Sequence, residues 1–184
     1  MAFIEPVPDA EAAELGTLTN YTRALGHRPE IVRAWIQLNT AIKESMDLRR
    51  YELATVAAST RLGSSYCSLA HGSVLLDKFY DAATLRTIVA DRREAGLSET
   101  DLAIMDLAEQ IVTDATEVTH EDVDRLRAAG LDDAEIVSVV LAVAARCFFS
   151  KALDALGVEP DASYSALDPE LRDALVVGRP IAQA

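Results

Sequence analysis

Cys67 and His71, in the stretch "SSYCSLAH", stand four residues apart in a segment with helical periodicity. That spacing puts both side chains on one helix face, within reach of each other. A thiol beside an imidazole makes an activated sulfur nucleophile, because the imidazole takes the proton and the thiolate attacks. Ser64 or Ser65, just after the helix-breaking Gly63, suits the cap of this helix. With Ser64 as cap, Cys67 falls in the first turn, where unpaired N–H groups and the helix dipole favour a thiolate. An imidazole base needs a third group to orient it, and the preceding helix offers Glu52, which a chain reversal at Gly63 brings back toward the next helix. By type and spacing alone the pair also reads as a core thiol with an ordinary histidine, since cysteine is among the most buried residue types. Tyr66 either lines the pocket of the thiol, donating a hydrogen bond there, or packs across the helix junction. Cys147, in the apolar "AARCFFSKAL", reads as buried filler, while Arg146 and Lys151 beside it reach the surface or bring positive charge to a site. No metal or cofactor is expected: zinc wants three or four ligands, and His27 and His120 lie in unrelated segments.

The elements that must position these groups are helices. The residues from 1 to 8 read as an extended arm. Asp9 is placed to cap a helix running to Leu25, which Gly26 ends. Pro29 suits the first turn of the next, with Ile31, Trp35, Leu38 and Ile42 at helical spacing as its inner face. Further helices are expected over about Asp47 to Leu62, Ser64 to Phe79, Ala82 to Ala95, Ser98 to Asp114, Thr119 to Ala129 and Asp132 to Leu156. "AGLSETDLA" and "AGLDDAEIV", 34 residues apart, share one punctuation: glycine closes a helix, leucine packs across the turn, and Ser98 or Asp132 opens the next helix. The segment 161–184 reads as a tail with a short helix near Pro169 to Val177, free to lie on a neighbouring subunit.

Composition narrows the class. Half of the 184 residues are apolar but only 5% aromatic, a mixture that favours an all-α single domain over a sheet protein. Thirty acids against 17 bases repel phosphate backbones, which argues against nucleic acid as a partner. The longest uninterrupted apolar run, Val139 to Ala145, is far shorter than the ~20 residues of a membrane span. The first residues lack the basic and apolar blocks of a secretion signal, so a cytoplasmic location with reduced thiols is expected.

Glu52, eleven residues, Ser64-Ser65-Tyr66-Cys67, three residues and His71 together resemble the core motif of the carboxymuconolactone decarboxylase and alkylhydroperoxidase D-like superfamily. That motif is glutamate, eleven residues, Cys-x-x-Cys, three residues, histidine. "HRPEIVRAW" upstream, the long stretch from Ala95 to Ala144 and the closing "ALGVEP" resemble its peroxidase-related branch, so the likeness covers residues 27–160. It implies an alkylhydroperoxidase D-like bundle of eight or nine helices, assembled as a trimer or hexamer. It implies a thiol-dependent hydroperoxide reductase with Cys67 as nucleophile, His71 as base and Glu52 orienting it. Ser64 stands where the motif has its first cysteine, so no disulfide closes within the motif. Cys67 then reaches a sulfenic acid that an external thiol, a protein reductant or Cys147 must resolve. The other branch implies a lactone decarboxylase acting on a small carboxylated substrate, for which Arg61, Arg146 or Lys151 would have to face the site. A third reading is a redox-inactive scaffold.

Overall fold

The structure is a computed structural model that describes residues 2–183, and among these it contains ten α-helices and no strand. The chain is all-α. Its organising element is α4 (Leu48–Leu62), in which every residue from Tyr51 to Ser59 is buried. A helix buried all round needs small residues where neighbours approach, and Ala54, Ala57, Ala58 and Ser59 supply them. Around it pack α5 (Ser65–Lys78), α7 (Glu99–Asp114) and α9 (Asp133–Ala155), while α3 (Pro29–Glu44) lies on α9. Leu53, Leu69, Leu75, Leu85 and Met105 are all but sealed from solvent in the main core. Each withdraws roughly 2 kcal/mol of apolar surface from water.

The helix boundaries follow the capping residues. Asp47, Asp81, Ser98, Thr119 and Asp132 each accept a first-turn amide, opening α4, α6 (Ala82–Asp91), α7, α8 (His120–Ala128) and α9. Asp101 in α7 is buried and takes both Arg49 Nη2 contacts, at 2.9 and 3.0 Å, which ties the head of α4 to that of α7.

Three expectations change. The segment from Asp9 to Leu25 is two helices, α1 (Asp9–Ala13) and α2 (Asn20–Leu25), because Gly16 takes a φ of 123° and Thr19 with Thr22 forms a new capping box. On α3 the buried residues are Val32, Trp35 and Ile42, whereas Ile31 and Leu38 are exposed. The tail packs on its own chain. Leu171 and Leu175 of α10 (Pro169–Leu175) enter the main core, and Gly178 donates its N–H to Ser65 Oγ at 2.8 Å. Gly178 has to be glycine, since a Cβ there would collide with the Gly63 carbonyl. The N-terminal arm is also held, through Phe3 N–H to the Leu156 carbonyl and Val7 N–H to that of Arg23. Taken over its whole length, α9 is long and apolar enough to cross a membrane, although it holds no long uninterrupted apolar run; 44% of its most apolar window is buried inside the bundle.

Candidate functional site

Gly63 ends α4 at a φ of 71°, a left-handed conformation that suits glycine, and reverses the chain directly into α5. The reversal sets the inward face of α4 against the first turns of α5. Cys67, the third residue of α5, is buried. His71 lies one turn further on, and its Nδ1 is 2.5 Å from Glu52 Oε2. The other Glu52 oxygen is 3.9 Å from Lys43 Nζ. A carboxylate accepting at Nδ1 fixes the tautomer: the proton sits there, and Nε2 keeps its lone pair. Burial pushes the His71 pKa down to about 4, the charge of Arg146 adds to this, and Glu52 offsets part of it. At neutral pH His71 is therefore an uncharged base.

Cys67 and His71 line a cavity of about 190 Å³. Its apolar walls are aromatic: Trp35 stacks on Phe149 at 4.6 Å between ring centroids, and Tyr21 meets Phe149 edge-on at 5.4 Å. Opposite, Tyr66 donates a short hydrogen bond to Asp161, whose second oxygen accepts the Asn20 amide at 2.8 Å. Burial first, then the bond and charge of Asp161, drives the Tyr66 pKa far up; burial and the same charge lift that of Tyr164 to about 12. Both phenols stay protonated donors. Larger hollows of about 360 and 530 Å³ lie between α7 and α8 and between the chain ends, and neither is lined by cysteine or histidine.

Arg146, from the middle of α9, completes the cavity. Nη1 reaches Cys67 Sγ at 3.6 Å and Nη2 reaches Tyr51 Oη at 3.3 Å, and Tyr51 passes its own hydrogen to Asn39 Oδ1 at 2.8 Å. Burial pulls the Arg146 pKa down, but Cys67 and Tyr51 outweigh it, so the guanidinium stays charged. Arg61 instead bonds Thr113 on the exposed surface, and Lys151 is exposed.

The fold thus brings together Glu52, Cys67, His71 and Tyr66. Ser64 occupies the cap position of α5 without capping it. Its ψ is 94°, against 157–173° at the capping Ser98, Thr119 and Asp132, and its buried hydroxyl takes no first-turn amide and lies beside the Asp154 carboxylate instead. Cys147 is half-buried and packs on the main core rather than lining the cavity, because consecutive residues on α9 point about 100° apart. Both cysteines are free thiols. Among the described residues no group of three or more Cys, His, Asp or Glu side chains is placed to hold a metal. Asn39, Tyr51, Phe149 and Asp161 were not singled out from sequence. The first three look like core positions in their own helices, and Asp161 lies in a segment read as tail.

No protein-family model and no curated protein matches the chain. Solved structures do. The alkylhydroperoxidase core of a peroxidase-related protein from Ralstonia eutropha JMP134 superposes with a TM-score of 0.74 at 21% identity, over 85% of this chain and 84% of that one. A peroxidase-related protein from Silicibacter sp. TM1040 gives 0.76 at 21% identity, over 89% and 91%. The debrominase Bmp8, solved as a cysteine-to-alanine variant with 2,3,4-tribromopyrrole, gives 0.79 at 14% identity, over 95% and 98%. The fold is the alkylhydroperoxidase D-like fold.

Proposed function

We propose that this chain, built on the alkylhydroperoxidase D-like fold, is a thiol-dependent reductase of small hydroperoxides, with Cys67 as nucleophile, His71 as base and Glu52 orienting His71. The observation that carries the reading is His71, held by Glu52 at 2.5 Å in the same cavity as a free thiol. In the first step Sγ attacks the terminal peroxide oxygen while His71 Nε2 takes up the proton that is released. The O–O bond breaks, sulfur is oxidised to sulfenic acid, and the departing alkoxide takes the proton from His71 and leaves as an alcohol. In the second step an external thiol displaces the sulfenic hydroxyl as water, giving a mixed disulfide that a further thiol reduces. An external reductant is required because Ser64 has no sulfur and Cys147 is absent from the cavity wall.

A second reading has specific support. A buried arginine in the cavity suits a small carboxylated substrate, on which His71 and Glu52 would act as a lactone decarboxylase or related proton-transfer pair. Sulfur redox would then be dispensable. The homo-oligomer also remains a proposal. Ile31 and Leu38 on α3, with Val137, Leu141 and Phe148 on α9, are exposed apolar side chains that a second copy would cover.

Mass spectrometry of the reduced protein titrated with an organic hydroperoxide tests the leading reading. Cys67 is expected to gain oxygen or form a mixed disulfide with added thiol, and Cys67→Ser to abolish turnover. Cys67 unchanged under excess peroxide overturns it. Turnover of a carboxylated lactone that survives Cys67→Ser establishes the second reading instead.

A further inference from the structure

Arg146 is a buried cation without a carboxylate. It is 3% exposed, and among the described residues no Asp or Glu comes within ion-pair distance of it. Arg49 and Arg92, also withdrawn from solvent, are paired with Asp101 and with Asp106 and Glu109. Water no longer solvates an unpaired buried charge, so whatever Arg146 does touch has to compensate it. Its neighbours are few: Cys67 Sγ, Tyr51 Oη, and the Trp35 and Phe149 rings, each 5.9 Å from the guanidinium carbon. Nε has no partner at all.

The groups around the sulfur narrow the choice further. From α4 come Tyr51, which touches Arg146, and Glu52, which touches His71; His71 lines the cavity from α5 itself, and Tyr164 and Asp161 line it from the segment after α9. Tyr51 is kept a neutral phenol by burial, and its hydrogen is already given to Asn39, so it offers Arg146 only lone pairs. Glu52 is engaged by His71 and Lys43, and Asp161 by Tyr66 and Asn20. His71 is uncharged. Of the atoms in contact with Arg146, sulfur is the one that readily carries a negative charge near neutral pH.

We infer that Arg146 is a further catalytic residue: its guanidinium is the counter-ion of Cys67, holding the sulfur as an anion both before and after it attacks. The inference rests on the hydroperoxide reading and deepens it. The resting species is a thiolate, so the proton that His71 moves is the hydroperoxide's own. Sγ attacks the terminal oxygen, the O–O bond breaks, His71 takes the proton from the terminal oxygen and gives it to the alkoxide, and sulfur ends as a sulfenate still facing Arg146. Tyr51 is a positioning residue, since it acts on the sulfur only by aiming Arg146.

The ultraviolet absorbance of the thiolate, followed against pH without peroxide, tests this. The signal is taken as the difference between Cys147→Ser protein and its Cys67→Ser derivative. Arg146→Met should lower the Cys67 signal at neutral pH about tenfold, Arg146→Lys should retain part of it, and Tyr51→Phe should cause a smaller loss. A folded Arg146→Met protein with an unchanged profile overturns the inference. Should that variant fail to fold, an unchanged profile in a folded Arg146→Gln protein does the same. Oxygen gain at Cys67 with no effect of Arg146→Met on the profile sinks the counter-ion and leaves the peroxidase. A lost thiolate signal with no oxygen gain in the parent does the reverse.

Discussion

The heads of α5 and α9 are written in similar residues, a glycine followed at once or one residue later by a polar cap residue, yet they are built to opposite ends. At α9 Asp132 accepts the Glu135 amide at 2.8 Å, Glu135 returns to the Asp132 amide at 2.9 Å, and the whole box faces solvent. At α5 the cap side chain makes no such bond: the Ser64 hydroxyl lies beside the Asp154 carboxylate, and Ser68, next to Cys67, holds a buried hydroxyl without a partner. One head is satisfied locally and contributes stability. The other leaves a polar group unpaired, as native proteins rarely do outside sites with chemistry to perform.

The largest expected break in this contrast is kinetic. Glu52→Gln keeps the shape of α4 but removes the charge that holds His71, and hydroperoxide turnover in the presence of dithiothreitol should fall about 100-fold. A change below about threefold would remove Glu52 from the mechanism. Conditions come next. The folded pKa of His71, about 4, lies below its ordinary 6.5, so on acidification the unfolded chain takes up the proton first. Stability from this residue is present above pH 6.5, is lost as pH falls toward 4 and is flat below that. The slope is at most about 1.4 kcal/mol per pH unit. Urea melts across that window should show a steeper slope in wild type than in His71→Gln, both proteins sharing the slope of carboxylates such as Asp101 whose pKa is lowered in the fold. The smallest effects compare the two caps directly. Asp132→Ala should cost about 1 kcal/mol with turnover unchanged, whereas Ser64→Ala, which removes a hydroxyl that caps no first-turn amide, should cost less. Equal losses at both positions in thermal melts would show that the heads do not differ in the way described.

The caps that satisfy their helices are the ones legible in sequence. Ser98, Thr119 and Asp132 open helices where their spacing to Asp101, Asp122 and Glu135 says they should. Glu52, Cys67 and His71 were legible as well, because a glycine reversal between two helices leaves few ways to place them. Where the reading failed, the reason is tertiary. Ile31 and Leu38 have the right period for an inner face, but α9 covers the neighbouring stripe of α3 that holds Val32 and Trp35. Ser64 has the right chemistry for a cap, but the backbone turns it inward.

Sequence alone determined the all-helical class, most helix starts and the thiol–imidazole–carboxylate trio, because helix period, capping and i,i+4 spacing are local properties written within a few residues of one another. Only the tertiary structure decided that Arg146 and not Cys147 faces Cys67, that Tyr51 and Asn39 aim it, and that Asp161 closes the far wall. Those groups lie 79 and more residues from their partners in several cases, as Arg146 does from Cys67 and Asp161 from Tyr66. Their meeting depends on the rotation of α9 about its axis and on where the tail docks, which the packing of buried side chains sets and no local pattern records.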